Sequence, residues 1–292
     1  MEQIKVENLV KSYGNKKGVF DINFSIEKGE VFGFLGPNGA GKTTTIRHLM
    51  GFIKPDSGLV QIEGKDCFKE REQIQENVGY LPGEVALMEE MTGNEFLDFM
   101  FHMKRLKSKK KMEQLITYFE LDPKGKIRKM SKGMKQKLAI ICAFMGEPNI
   151  LILDEPTSGL DPLMQNKFID LIVKEKKRGA TIFLSSHIFE EIERTCDRVG
   201  FIREGELVTI KEMDQLKKSQ KRIFEIYFSS IEERNRYLET HKEARFEQDG
   251  VSVFVSGEVD SFIKELSQYQ ISDLKIKTLS LEEIFLEYYE KR

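Results

Sequence analysis

Cysteine is scarce in this chain of 292 residues, and the three present, Cys67, Cys142 and Cys196, lie far apart with no CxxC pair and no Cys/His cluster. That excludes a disulfide framework and a cysteine-based metal site, and it points to a reducing compartment. Charge of one sign is lacking too. Lys and Arg number 46 against 48 Asp and Glu, a net charge of −2, so no basic field calls for nucleic acid. No apolar run approaches the roughly 18–20 residues that cross a bilayer. The start, Met1-Glu2-Gln3-Ile4-Lys5, carries no apolar signal segment. Internal repeats and low-complexity tracts are absent, and His48, His102 and His241 have no partner at metal-ligand spacing. What remains is a globular composition, with a hydrophobic fraction of 40%, and a length that suits one large domain plus a small one.

The most informative segment present is Gly36-Pro37-Asn38-Gly39-Ala40-Gly41-Lys42-Thr43. It follows the apolar run Val31–Leu35 and precedes a helical pattern over Thr43–Met50, the strand–loop–helix context of a phosphate-binding loop. Gly36, Gly39 and Gly41 let successive amides converge on phosphate oxygens, together with those of Asn38 and Ala40, and the helix adds its positive end. Lys42 is expected to reach the β and γ phosphates of a nucleoside triphosphate, the Thr43 hydroxyl to ligate Mg²⁺ and Thr44 to meet the α phosphate. Further on, Leu151-Ile152-Leu153-Asp154-Glu155 is an apolar strand ending in two acids. Asp154, at the end of a buried strand, is costly unless it serves a cation. Glu155, expected on the opposite side of the pleat, is placed to take a proton from an attacking water. The same pair alone could be a solvent-facing strand end; the following Pro156-Thr157-Ser158-Gly159-Leu160-Asp161 argues against that.

The wider pattern predicts strands over residues 2–9 and 19–35 around a turn at Gly14–Lys17. Another is predicted around Leu59–Glu63, and three more over Ile150–Leu153, Thr181–Leu184 and Val199–Arg203. Helical signals fill Glu84–Lys137 and Pro162–Lys177. Strands alternating with helices imply a largely parallel, right-handed α/β sheet. From residue 218 a new pattern begins: strand Lys221–Ser229, helix Ile231–Thr240, strand Val251–Ser256, helix Val259–Tyr269 and strand Ile271–Thr278. A last helix carries Leu281, Ile284, Phe285, Leu286 and Tyr288 on one face, with Ser280 and Glu283 as a capping box. The expected organisation is a nucleotide-binding domain over 1–217, with a helical subdomain over about 84–140, and a small α/β domain over 218–292.

These segments together resemble the ATP-binding cassette (ABC) ATPases, from about residue 2 to 210. Ser131-Lys132-Gly133-Met134-Lys135 lies where that family has its Leu-Ser-Gly-Gly-Gln signature, keeping Ser131 and Gly133 and changing Lys132, Met134 and Lys135. Ser158-Gly159-Leu160-Asp161 looks like the family's D-loop, His187 like its switch histidine, and Tyr13 stands where an aromatic ring stacks on adenine, or packs a turn. Where most members carry a Gln after Val78–Pro82, this chain has Gly83 and then Glu84, a candidate replacement toward Mg²⁺. The resemblance implies a phosphate-loop core with mixed and parallel strands, an antiparallel β subdomain and a helical insertion. It implies an ATPase using ATP and Mg²⁺, with Lys42, Glu155 and His187 catalytic and Thr43 and Asp154 on the metal. It also implies a head-to-tail homodimer or heterodimer in which Ser131 and Gly133 complete the neighbour's site, with Asp161 beside them.

Tyr80–Glu84 and Thr278–Phe285 look most like type-2 bacterial exporters of drugs, antimicrobial peptides or other amphipathic molecules. The implied partner is a separate transmembrane permease, and the implied location is cytoplasmic, peripheral on the inner face of the cell membrane. The rival is a soluble ABC-type ATPase in translation or DNA maintenance. Translation members usually carry two cassettes where this chain has one, and repair members insert coiled coils whose sustained heptads are absent here. The basic run Lys104–Lys111 is open to two readings, a solvated helix end or a contact with anionic lipid headgroups.

Overall fold

The computed structural model describes residues 2–218, 222–247, 250–255 and 259–278. The chain divides into two compact units, Met1–Met213 and Asp214–Arg292.

In the first unit, β1 (Glu2–Ser12), β2 (Gly18–Glu27), β4 (Ser57–Ile62) and β5 (Lys65–Asp66) form an antiparallel sheet in the order β2-β1-β4-β5. The second sheet has six strands: β3 (Val31–Leu35), β6 (Val78–Leu81), β7 (Ile150–Asp154), β8 (Thr181–Ser186), β9 (Arg198–Arg203) and β10 (Glu206–Glu212). Their order is β10-β9-β3-β8-β7-β6, parallel except for the β9–β10 hairpin. β3 and β7 are buried at every residue, which is why both read as unbroken apolar runs. The expected single strand over 19–35 is two strands in different sheets. A turn at Lys28-Gly29, with Gly29 at φ +79°, reverses the chain between them. Phe24 of β2 bridges the gap, its ring 5.3 Å from Phe32 and 5.7 Å from Phe34 and Phe183.

Helices α1 (Lys42–Leu49), α2 (Arg71–Asn77), α6 (Pro162–Arg178) and α7 (Phe189–Thr195) belong to the same unit. So do α3 (Gly93–Met103), α4 (Lys110–Tyr118) and α5 (Lys132–Phe144), which occupy the helical region. Thr92 and Glu95 close a capping box on α3. Lys109 and Lys111, in the basic run, pair with Asp98 at 2.6 Å and Glu175 at 2.9 Å. Those two cations are neutralised within the protein, which favours the plainer reading of the run.

The second unit starts within α8 (Met213–Lys218) and continues β11 (Arg222–Phe228), α9 (Ile231–Thr240), β12 (Arg245–Glu247), β13 (Gly250–Val255), α10 (Val259–Leu266) and β14 (Ile271–Thr278). Its sheet, β12-β13-β11-β14, is antiparallel throughout, the order of a split βαβ unit in a βαββαβ chain. Phe224, Ile226, Val251 and Val253 meet Tyr237, Phe262 and Leu266 in its own core. The helix expected beyond Ser280 lies outside the described residues.

Candidate active site

The carboxyl ends of β3, β7 and β8 carry the chemistry, as open parallel sheets with crossover helices require. β3 runs into the loop 36–41. Gly36 has no room for a side chain, since a Cβ there would stand 2.3 Å from the Ile202 carbonyl. Gly39 and Gly41 have φ of +82° and +111°, a region that disfavours any β-carbon. The loop is braced from outside by the Gly205 amide, which donates to the Ala40 carbonyl at 2.9 Å. α1 then starts at Lys42 with no capping side chain and no acid in its first turn. Its amides and dipole are therefore left for an external anion. Lys42, 5% exposed, donates to the carbonyls of Gly36 at 2.6 Å and Pro37 at 3.1 Å. Thr44 is half-buried on the same helix.

Asp154 and Ser185 are register partners on β7 and β8. Asp154 is fully buried; its Oδ1 accepts from the Ser185 hydroxyl at 2.5 Å and its Oδ2 from the Thr43 hydroxyl at 2.8 Å. Among the described residues no Lys or Arg pairs with it. A buried carboxylate held by two hydroxyls and no cationic side chain is costly unless a cation joins it, and the hard oxygens of Asp154 and Thr43 suit Mg²⁺. Among the described residues there is no group of three or more His, Cys, Asp or Glu that would hold a metal unaided.

Glu155 departs from the expected pleat. Its φ is +47°, a left-handed turn that ends β7, and its amide is held by the Ser185 carbonyl and hydroxyl at 3.1 and 3.2 Å. The turn costs on the order of 1–2 kcal/mol for an L-residue and aims the carboxylate back at the loop. Oε1 forms an ion pair with Lys42 at 3.0 Å without a directed hydrogen bond, and Oε2 lies 2.5 Å from His187 Nδ1. Lys42, Glu155 and His187 thus form one line across three strand ends.

Gly83 stands directly against Asp154: a Cβ there would be 3.0 Å from Oδ2. Glu84, the candidate replacement ligand, is exposed and makes no hydrogen bond or ion pair among the described residues. The structure gives it no contact with Thr43 or Asp154, because its side chain leaves the loop toward solvent while Gly83 faces the acid.

Ser131 caps α5, its hydroxyl accepting from the Met134 amide at 3.2 Å. Lys132 lies along Gly159 and donates to the Ser158 hydroxyl at 3.2 Å, and Gly133 abuts the Gly159 carbonyl. Asp161 caps α6 by accepting from the Met164 amide at 3.0 Å. Ser131, Gly133 and Ser158–Asp161 therefore share one face. No hydrogen bond or ion pair among the described residues joins Ser131 or Gly133 to the phosphate loop. Tyr13, 53% exposed, sits in the β1–β2 hairpin, whose Val19 packs on Gly41.

Sequence reasoning passed over Ser185 and Gln136. Gln136, 3% exposed, donates to the Pro156 carbonyl at 2.7 Å and ties α5 to the turn after Glu155. A polar pair ending the apolar strand Thr181–Leu184 was the available signal for Ser185; for Gln136 there was none without the fold.

Residues 19–158 match the family model described as ABC transporter. The chain is 36% identical to the bacitracin transport ATP-binding protein of Bacillus licheniformis, over 94% of this chain and 97% of that protein. It is 39% identical to the linearmycin resistance ATP-binding protein of Bacillus subtilis, over 71% of this chain and 68% of that one. A solved ATP-binding subunit of an ABC transporter superposes with a TM-score of 0.67 and 33% identity, over 74% of this chain and 92% of its own. A dimeric ATP-binding cassette in a post-hydrolysis state with ADP and Pi shares the fold at a TM-score of 0.66 and 22% identity, covering 72% of this chain and 98% of its own.

Proposed function

Because this chain belongs to the ATP-binding subunits of ABC transporters, which bind and hydrolyse ATP, dimerise and pair with a membrane permease, we propose that it drives export of an amphipathic antibiotic or peptide from the inner face of the bacterial membrane. The observation that carries the chemistry is the line Lys42–Glu155–His187 beside the Thr43–Asp154 pair. Phosphoryl transfer is mostly positioning and charge neutralisation. Lys42 and the amides at the start of α1 hold the phosphates. Glu155 takes the proton of the attacking water, and His187 holds Glu155 oriented and faces the γ phosphate. Thr43 and Asp154 would hold Mg²⁺, which supplies charge neutralisation at the phosphates. Tyr13 offers its ring to adenine.

Ser131 and Gly133, on a face without bonds to their own loop, serve the nucleotide of a second subunit, with Asp161 at that boundary. The arrangement accommodates an identical or a merely similar second subunit. The export reading is supported by the names of the bacitracin and linearmycin relatives. A permease-free role is not favoured by relatives named for transport and resistance. The small unit is read as an accessory domain of the motor.

Glu155→Gln tests the chemistry. The variant is expected to bind ATP with near-normal affinity and to lose hydrolysis by about 10²- to 10⁴-fold. Normal turnover would remove Glu155 as the base. The export reading is tested by reconstituting the chain with its co-purifying permease: bacitracin-like peptides should stimulate its ATPase, and indifference to them overturns the cargo class.

A further inference from the structure

Glu191 is a carboxyl group buried in the wall behind Glu155 and His187. It lies in the first turn of α7 and is 3% exposed. Its Oε2 accepts from the Ser186 hydroxyl at 2.5 Å, and that hydroxyl in turn accepts from the Ile188 amide at 2.9 Å. The residues flanking His187 on both sides are thus fixed through one acid. Oε1 makes no hydrogen bond of full geometry, the Thr157 side chain being near enough only to ease its charge, and among the described residues no Lys or Arg pairs with Glu191.

The groups facing it come from several elements. From the turn after β7, Glu155 repels its charge and Thr157 eases it. Cys196, at the end of α7, feels the Glu191 charge in return. Lys176 of α6 is committed to Asp197, and the neighbouring Glu190 to Arg194. Burial first, with the Glu155 charge adding to it against the Ser186 hydrogen bond, pushes Glu191 up to about 7.

We propose that Glu191 is a positioning acid of the nucleotide site: uncharged, it holds the Ser186–His187 corner against the Glu155 turn and keeps a second negative charge away from the phosphates of ATP. The inference rests on the reading of Glu155 and His187 as the groups facing the γ phosphate. An ionised Glu191 has no counter-ion in that wall, so its field reaches the triphosphate through protein rather than water. ATP affinity then falls as pH rises through neutrality, for a reason separate from the titration of ATP itself.

Equilibrium titration of the full chain with ATP and Mg²⁺ reads this directly. Between about pH 6 and about pH 8, wild type is expected to weaken on the order of threefold to tenfold more than Glu191→Gln, which stays neutral and nearly isosteric. The titration of ATP is common to both proteins and cancels in the comparison. Ser186→Ala removes the donor that favours the ionised carboxylate, so the inflection is expected to move to higher pH. If Glu191→Gln does not fold, as thermal unfolding will show, the Ser186→Ala shift decides alone. A wild-type-to-Gln affinity ratio constant across pH, or an inflection unmoved by Ser186→Ala, overturns the inference. Failure of the Glu155 reading appears separately, as normal turnover in Glu155→Gln, and leaves the affinity comparison standing.

Discussion

His48 and Glu191 are buried ionisable groups that pull stability in opposite directions with pH. His48 is 1% exposed on α1; its Nδ1 donates to the Thr44 carbonyl at 2.8 Å and its Nε2 has no partner. Burial, the largest cause, holds its pKa below the ordinary value, against the Thr44 contact. A base whose folded pKa is lowered supplies stability that is present above its ordinary range and lost as pH falls. For Glu191 the folded pKa is raised, so its contribution is full below the usual carboxylate range and is lost as pH rises toward about 7. Thermal melts of His48→Met should therefore lose the acid-side decline, and those of Glu191→Gln the decline toward neutrality. Unchanged pH profiles would show that neither burial matters. Gly33 gives a prediction of another kind: a Cβ there would meet Cys196 Sγ and Ile192 at 2.9 Å. Gly33→Ala should cost about 1–3 kcal/mol in denaturant unfolding, since α7 has to shift. At this scale the strand–loop–helix setting of the phosphate loop and the strand-end place of Asp154 were legible from short motifs, whereas His187 was legible only through the family resemblance. Glu155's left-handed turn and the Ser185 contact were not legible, since each depends on a neighbouring strand.

Between elements, the clamp of Phe24 on Phe32, Phe34 and Phe183 is the joint between the two sheets of the first unit. Phe24→Ala should destabilise that unit by about 3–5 kcal/mol, more than an isolated surface strand would lose. A midpoint in urea within error of wild type would mean the sheets hold without it. The helix α5 shows what sequence conveys and what it hides. The helical signals read up to Lys137 cover only its first half, since α5 runs on to Phe144, and its tie to Pro156 through Gln136 is a long-range contact. Likewise the short strands β5, β6 and β12 were not expected, because so few residues carry too little pattern, and β10 was passed over although Glu204-Gly205 marks the turn that separates it from β9. The break at Lys28-Gly29 did carry a signal, the polar run Glu27-Lys28-Gly29-Glu30 between two apolar stretches, which the reading of 19–35 as one strand passed over.

In the whole molecule, the face formed by Ser131, Gly133 and Ser158–Asp161 has a consequence for assembly. Ser131→Arg should leave ATP binding by the single chain intact and prevent ATP-dependent dimerisation, as read by size-exclusion chromatography with Glu155→Gln as the background. Loss of ATP binding instead would place Ser131 in its own chain's site. The two units have separate cores, so Phe224→Ala should lower the melting of the small one without changing ATP affinity.

The strand order carries a further consequence, for how the protein is made. β3, which bears the phosphate loop, is hydrogen-bonded on one side to Thr181–Ser186 and on the other to Arg198–Arg203. Neither neighbour exists when β3 leaves the ribosome, and non-local pairings of this kind are the slow part of folding. A nascent chain halted before β8 therefore owns the whole loop sequence and no competent ATP site. Ligand-assisted folding can begin only after most of the first unit has been synthesised.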